Sequence, residues 1–294
     1  MGRINRSYTL LKASNTVFRS NPSLMVYPFI SVLAVIVLMI FVLLPGLSGT
    51  LFVLYKMGIV GPDHQDAWQA YLGAIPFLLI VQWVSIYISA MFYASADAAL
   101  KGEKLGYKAA AKEIWQHRAA ITKWALFAGI VGVIIRYLED KLGLLGLIVL
   151  RLLGIAWALA TVFVVPTLVR KDMGPIDTLR HSANLFKKTW GENFTAQFSM
   201  GIFSAFGIFA AILMVFGLVS FYSLGIVNLV TAILLGVLVA LVAWLFISYI
   251  VALQTIFTAA LYRYAETGDY VGPYTAEIIQ GAFTPKKSRK PLLQ

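Results

Sequence analysis

His64 lies between Asp63 and Asp66 in the stretch GPDHQDAW. An imidazole beside two carboxylates can ligate a metal or pass a proton near neutral pH. The other histidines, His117 and His181, fall on the opposite side of the topology derived below. We therefore read the stretch as a turn and helix cap, and expect no metal and no cofactor. Arg151 is a sharper case, because the apolar runs 142–150 and 152–169 flank it. An arginine at the bilayer centre costs at least about 2.5–3.5 kcal/mol. Either it serves a function inside the membrane, or a span begins near it and its side chain snorkels outward or pairs with Glu139 or Asp140; the second reading is favoured. Gln82 and Gln254 occupy comparable places in their apolar segments, where they can line a polar pocket or bond to a neighbouring helix. The sequence has no cysteine, and no HExxH, glycine-rich phosphate loop or serine elbow. No catalytic residue emerges, and we expect no enzyme.

The elements that carry these residues are apolar helices. Only 13% of the side chains are charged, 60% are hydrophobic and the mean hydropathy is +0.81, against roughly a quarter charged in an ordinary soluble domain. A span needs about 20 mostly apolar residues, and six segments qualify: about 24–44, 72–94, 120–136, 152–169, 197–221 and 227–257. The first is too long for a secretory signal core and no A-x-A-like site follows it, so it is expected to remain as a span. The stretches 68–100 and 228–264, which contain between them the single proline Pro76, predict that the second and sixth helices run well past the bilayer. Small residues four apart, Gly154 with Ala158, Gly201 with Ala205 and Gly207 with Ala211, suit close helix approach.

Of the 24 lysines and arginines, twenty lie in the N-terminal arm, the 95–123 and 170–195 connections and the C-terminal part. Only Lys56, Arg136, Lys141 and Arg151 lie on the alternate side, so both termini are expected in the cytoplasm. The net charge of +11 then fits membrane topology and anionic lipid rather than nucleic acid. On the cytoplasmic side, the tract from Gly174 to Phe194 spaces Ile176, Leu179, Ala183, Phe186 and Trp190 by threes and fours. The spacing predicts a helix over 175–190 with one apolar face, Asp177 near its start, Lys187 and Lys188 near its end, and Gly191 as terminator. Similar faces precede span one (Ile4, Tyr8, Leu11, Phe18, with Asn15 as a polar member) and span three (Tyr107, Ala111, Ile114, Trp115). Another follows span six (Tyr274, Ile278, Phe283). The chain reads as one membrane domain of three pseudo-repeats, about 3–100, 101–172 and 173–268, each an amphipathic helix before a two-span hairpin, with a basic tail at 284–294. Any connector lying on a membrane would also look amphipathic.

The tract WALATVFVVPTL, then Gly174 and Pro175, then LFKKTWGE from Leu185 to Glu192, with LYRYAETG at Leu261 to Gly268 and GAF at Gly281 to Phe283, resembles an uncharacterised prokaryotic family of six-span membrane proteins. The layout is more distantly similar to the membrane domain of some glycerophosphodiester phosphodiesterases, although this chain has no phosphodiesterase domain. The resemblance implies an all-α bundle in a prokaryotic cytoplasmic membrane and supplies no activity. The expected function is a non-enzymatic scaffold, accessory subunit or lipid-organising protein that holds anionic lipid, a partner protein or a second copy. Its expected interface is Ile176, Leu179, Arg180, Phe186, Lys187, Lys188 and Trp190. The alternative is a transporter or channel for a lipid or small neutral solute, with Gln82 and Gln254 in its path.

Overall fold

A computed structural model describes residues 3–44, 68–142 and 144–275, with a few isolated positions between 46 and 55. Within these, the side chains of residues 3–8, 68–74 and 190–206, and a few others, are not described. His64 with its two aspartates, Ile278, Phe283 and the basic tail all lie outside the described residues, as do the side chains of Trp190, Glu139 and Asp140.

The described residues form an all-helical protein. Helix α1 covers Arg3–Ser20; a 3-10 turn, Pro22–Met25, leads into α2, Val26–Leu38, which loosens into a π turn at Met39–Leu43. Then follow α3 (Trp68–Leu100), α4 (Tyr107–Gln116), α5 (Arg118–Lys141), α6 (Leu144–Ala160) and α7 (Val164–Arg170). The described elements end with α8 (Pro175–Lys188), α9 (Trp190–Ser223) and α10 (Leu229–Thr267). Helix α8 ends at Lys188, but Gly191 does not terminate it. The interruption is the single residue Thr189, after which α9 runs straight through Gly191. Helix α10 has a firm start and stop. The Asn228 side chain accepts from the Thr231 N–H at 2.8 Å, and Gly268 closes the helix at φ +79°, where a Cβ would be strained.

Among the described residues, five stretches are long and apolar enough to cross a membrane: Pro22–Phe41, Ile75–Leu100, Arg118–Ile135, Ile148–Arg170 and Leu229–Thr267. Such a chain fits a multi-pass membrane protein. The expected span 197–221 falls inside α9, where Gly207–Ser223 is a shorter apolar helix.

Burial divides the long helices lengthwise. In α3, Leu78 and Ile80 are exposed, whereas every residue from Ala90 to Leu100 is buried. In α10, large apolar side chains are exposed from Leu229 to Phe246, and burial begins at Ser248. Helix α5 changes the other way along the chain, buried at Ala120, Ile121, Trp124 and Ala125, with Leu126, Ile130, Val133, Ile134 and Tyr137 exposed beyond them. Leaving a leucine or isoleucine in water forfeits about 1.5–3 kcal/mol of burial per side chain. Apolar surface this continuous therefore calls for a lipid solvent. The exposed part of α10, 19 residues long by the positions above, measures about 28 Å at 1.5 Å per residue, close to the hydrocarbon thickness.

The chain divides into two compact units. One comprises Met1–Met25, Ala96–Lys104 and Lys187–Gln294. Its core sets Leu10, Ala13, Ser14 and Val17 of α1 beside the buried part of α10, with Phe18 edge-on to Tyr249 at 5.3 Å. Asn15, the polar member of the expected face, accepts a hydrogen bond from the Tyr249 hydroxyl at 3.0 Å. Gly207 lets α9 approach α10 closely, since a Cβ there would meet the Phe246 ring. The other unit comprises Val26–Ser95 and Leu105–Phe186. Its core clusters Ala120, Trp124, Val164 and Leu168, with Trp157 and Leu179 packed against it. Near its start Tyr27 stacks on Phe92 and shares a hydrogen bond with Ser95.

Candidate functional site

In the second unit, the local chemistry centres on an interruption in the fourth apolar helix. Pro166 has no N–H to offer the Val162 carbonyl, and the Thr161 and Thr167 hydroxyls bond back to Trp157 and Phe163 carbonyls at 2.9 and 2.7 Å. The helix breaks over Thr161–Phe163, leaving the Ala160 carbonyl and the Phe163 N–H without their α-helical partners. One hydroxyl from α8 satisfies both. Ser182 Oγ donates to the Ala160 carbonyl at 2.6 Å and accepts from the Phe163 N–H at 3.0 Å. Non-helical backbone at membrane depth is stable only where protein encloses it, and Phe163, Thr167 and Ser182 are fully buried. One turn earlier on α8, the buried Thr178 hydroxyl has no protein partner among the described residues.

This docking sets the faces of α8. Its buried residues are Thr178, Ser182, Leu185 and Phe186. Small hydroxyl residues point inward because they allow the helix to come close to the interrupted backbone. The expected stripe is thereby split. Leu179 is half-buried against Trp124 and Val164, Phe186 is buried, and Ile176 is 53% exposed. Arg180 is exposed beside Asp177 at 3.7 Å, and Lys187 and Lys188 are exposed. The same arrangement recurs on α4, which buries Ala110 and Ile114 and exposes Tyr107 and Trp115. Sequence periodicity finds both helices but weights large side chains over small ones, and so does not single out Ala110, Thr178 and Ser182 as residues that pack inward.

Of the intramembrane polar residues, Gln82 is exposed on α3 and Gln254 is half-buried on α10. Arg151 is exposed midway along α6, among the exposed Ile148, Leu152 and Ile155. The candidate span starts at Ile148, three residues before Arg151 and close to the expected start.

In the first unit an ion cluster appears that spacing alone reveals only in part. Asp97 pairs with Lys101 at 3.3 Å, as their four-residue separation suggests. It also accepts two bonds from Arg263 of α10, Nε at 2.5 Å and Nη2 at 3.3 Å. Asp97 is buried, and the forked guanidinium is the partner its carboxylate requires. Close by in sequence, Gly272 at φ +59° brings its backbone against the Leu100 carbonyl. Tyr274 is fully buried against Phe257 and shares a 2.5 Å hydrogen bond with Ser14. Burial pushes its phenol well above the usual tyrosine range, and the bond to Ser14 only partly offsets this.

A family of unknown function, DUF6159, matches residues 69–272. The chain belongs to that family. No curated protein and no solved structure matches it. The matched region of DUF6159 holds α3 through α10 and so contains both the Ser182 bridge and the Asp97–Arg263 pair.

Proposed function

We propose that this protein is a non-enzymatic integral membrane scaffold or accessory subunit that organises lipid or a partner at the cytoplasmic face of a prokaryotic inner membrane. The observation that carries the reading is the lengthwise division of the helices. Exposed apolar parts suited to lipid continue into buried parts, which short helices with exposed aromatic and basic residues accompany. On α8 the exposed set is Ile176, Arg180, Lys187 and Lys188, a composition suited to an anionic headgroup layer.

The finer architecture belongs to the same proposal: six spans, with α9 as the fifth, both termini inside, and three repeats of a short helix before a long one. Matching elbows support the repeat. Helix α4 joins α5 through His117 alone (φ −93°, ψ 10°), and α8 joins α9 through Thr189 alone (φ −112°, ψ 19°). The likeness to phosphodiesterase membrane domains extends the proposal toward lipid handling, on layout only. Extracting the full chain with its surrounding lipid and identifying each co-purifying lipid and protein is the test. Enrichment of an anionic lipid or one stoichiometric partner supports the reading; recovery of the chain alone, with lipid at bulk composition, refutes it.

A further inference from the structure

We infer that the junction of α3, α4 and α5 is a built site for an acidic glycerophospholipid, its phosphate held by Arg118 and Lys112. The inference rests on the lipid-organising reading above and places the lipid at a different helix from α8. Trp83 and Tyr87 of α3 stack at 5.3 Å, and both meet the Trp115 ring edge-on, at 6.3 and 6.2 Å. Hydrogen bonds fix these rings. Trp83 Nε1 donates to Thr122 Oγ1 at 2.9 Å, and the Tyr87 hydroxyl donates to the Ala111 carbonyl at 2.8 Å. Arg118 is held over Trp115, its guanidinium carbon 5.5 Å from the ring centre, while Nη1 donates to the Trp115 carbonyl at 3.0 Å. The guanidinium is thus pre-positioned by protein yet exposed.

Two further observations select the occupant. Lys108, Lys112 and Trp115 share the face of α4 opposite its buried Ala110 and Ile114, and Glu113 is the acidic residue on that helix. This face therefore attracts an anion. The rings also lie where α3 passes from exposed Leu78 and Ile80 to buried Ile88 and Ala90, and where α5 passes from buried Ala125 to exposed Leu126 and Ile130. That is the depth of a headgroup, with apolar helix surface beyond it for acyl chains, and Trp and Tyr concentrate at that level. An amphipathic anion satisfies both surfaces. A free phosphate satisfies one.

The test uses full-length protein stripped of lipid in detergent and titrated separately with phosphatidylglycerol, phosphatidylcholine and inorganic phosphate, with bound molecules counted by native mass spectrometry. Phosphatidylglycerol is expected to bind at least tenfold more tightly than phosphatidylcholine, with millimolar phosphate failing to compete. Lys112→Gln with Arg118→Gln should weaken phosphatidylglycerol binding by about 30-fold, the effect of two basic residues at an anionic surface. Lys108→Glu gives a second route through an exposed side chain and should weaken it about tenfold or more. Competition by inorganic phosphate, or retention of the preference in both variants, overturns the site. If Lys187→Gln with Lys188→Gln removes the preference while the α4 variants keep it, this inference fails and the broader reading stands. If no lipid preference exists at all, both fail.

Discussion

Replacing Ser182 by alanine removes the hydroxyl that joins α8 to the interruption between α6 and α7. Both of its hydrogen bonds are lost, and the Phe163 N–H is deprived of that acceptor in a fully buried site. A buried donor stranded in this way costs about 1–3 kcal/mol and the second bond about 0.5–1.5 kcal/mol. Local opening of residues 161–169 should become easier by about 1.5–4.5 kcal/mol, which is about 10- to 1,600-fold in the opening equilibrium at 1.4 kcal/mol per tenfold. Hydrogen exchange read by mass spectrometry on the solubilised full-length protein measures this directly, through peptides covering that segment. Arg180→Ala on the same helix is the control. Its pair with Asp177 spans 3.7 Å between highly exposed side chains and contributes less than about 1 kcal/mol. If protection over 161–169 falls no further in Ser182→Ala than in Arg180→Ala, the hydroxyl bridge is not what seats α8, and the account of the interruption is wrong.

Asp97→Ala leaves the partly buried Arg263 without its carboxylate and should cost about 3–5 kcal/mol, lowering the thermal midpoint by about 10 °C. Asp97→Leu combined with Arg263→Met should recover most of that loss, since a buried pair exchanged for apolar residues is often neutral. Tyr274 supplies a pH dependence. Its folded-state pKa is raised, so its contribution is full below the unfolded value of about 10 and is lost as pH rises beyond it. Melting temperature measured across that range should fall less steeply in Tyr274→Phe than in the parent. Gly272→Ala places a Cβ 3.1 Å from the Leu100 carbonyl at a left-handed φ and should destabilise by about 1–2 kcal/mol or more. Gly236→Ala in α10 meets nothing within 4 Å and should instead stabilise by up to about 1 kcal/mol, both read by thermal unfolding.

The helices themselves were legible because apolar runs and caps are local properties. The pattern 68–100 reproduces α3 to the residue, and 228–264 anticipates α10 to within a few residues at each end. The level at which each long helix leaves lipid was not legible, because a hydropathy window counts alanine as apolar wherever it stands. In the buried stretch ASADAAL at the end of α3, four of the seven residues are alanine, and such small residues let other helices come close. The same bias explains the faces of the short helices, where Ala110, Thr178 and Ser182 point inward and Trp115 and Ile176 outward. Arg263 as the partner of Asp97 was hidden for another reason. The two are 166 residues apart, and only a fold can join them.

The Asp97 carboxylate also bears on what the buried helix ends are for. A buried ion pair costs desolvation that its attraction barely repays, so it adds little stability beyond an apolar pair, though it resists any arrangement that would separate its members. Asp97 and Arg263 sit on the buried parts of α3 and α10, beyond the stretches whose exposed side chains call for lipid, and the exposed Lys101 follows directly after α3. Sliding either helix along its axis by one turn, about 5.4 Å, would part the fork from its carboxylate. A bundle held only by alanine and leucine contacts has several near-equivalent registers, and this pair selects one. A fixed register holds Gly272 against Leu100 and Tyr274 against Ser14. Such rigidity suits a protein that presents a constant surface to lipid or a partner better than one whose helices must slide to open a path.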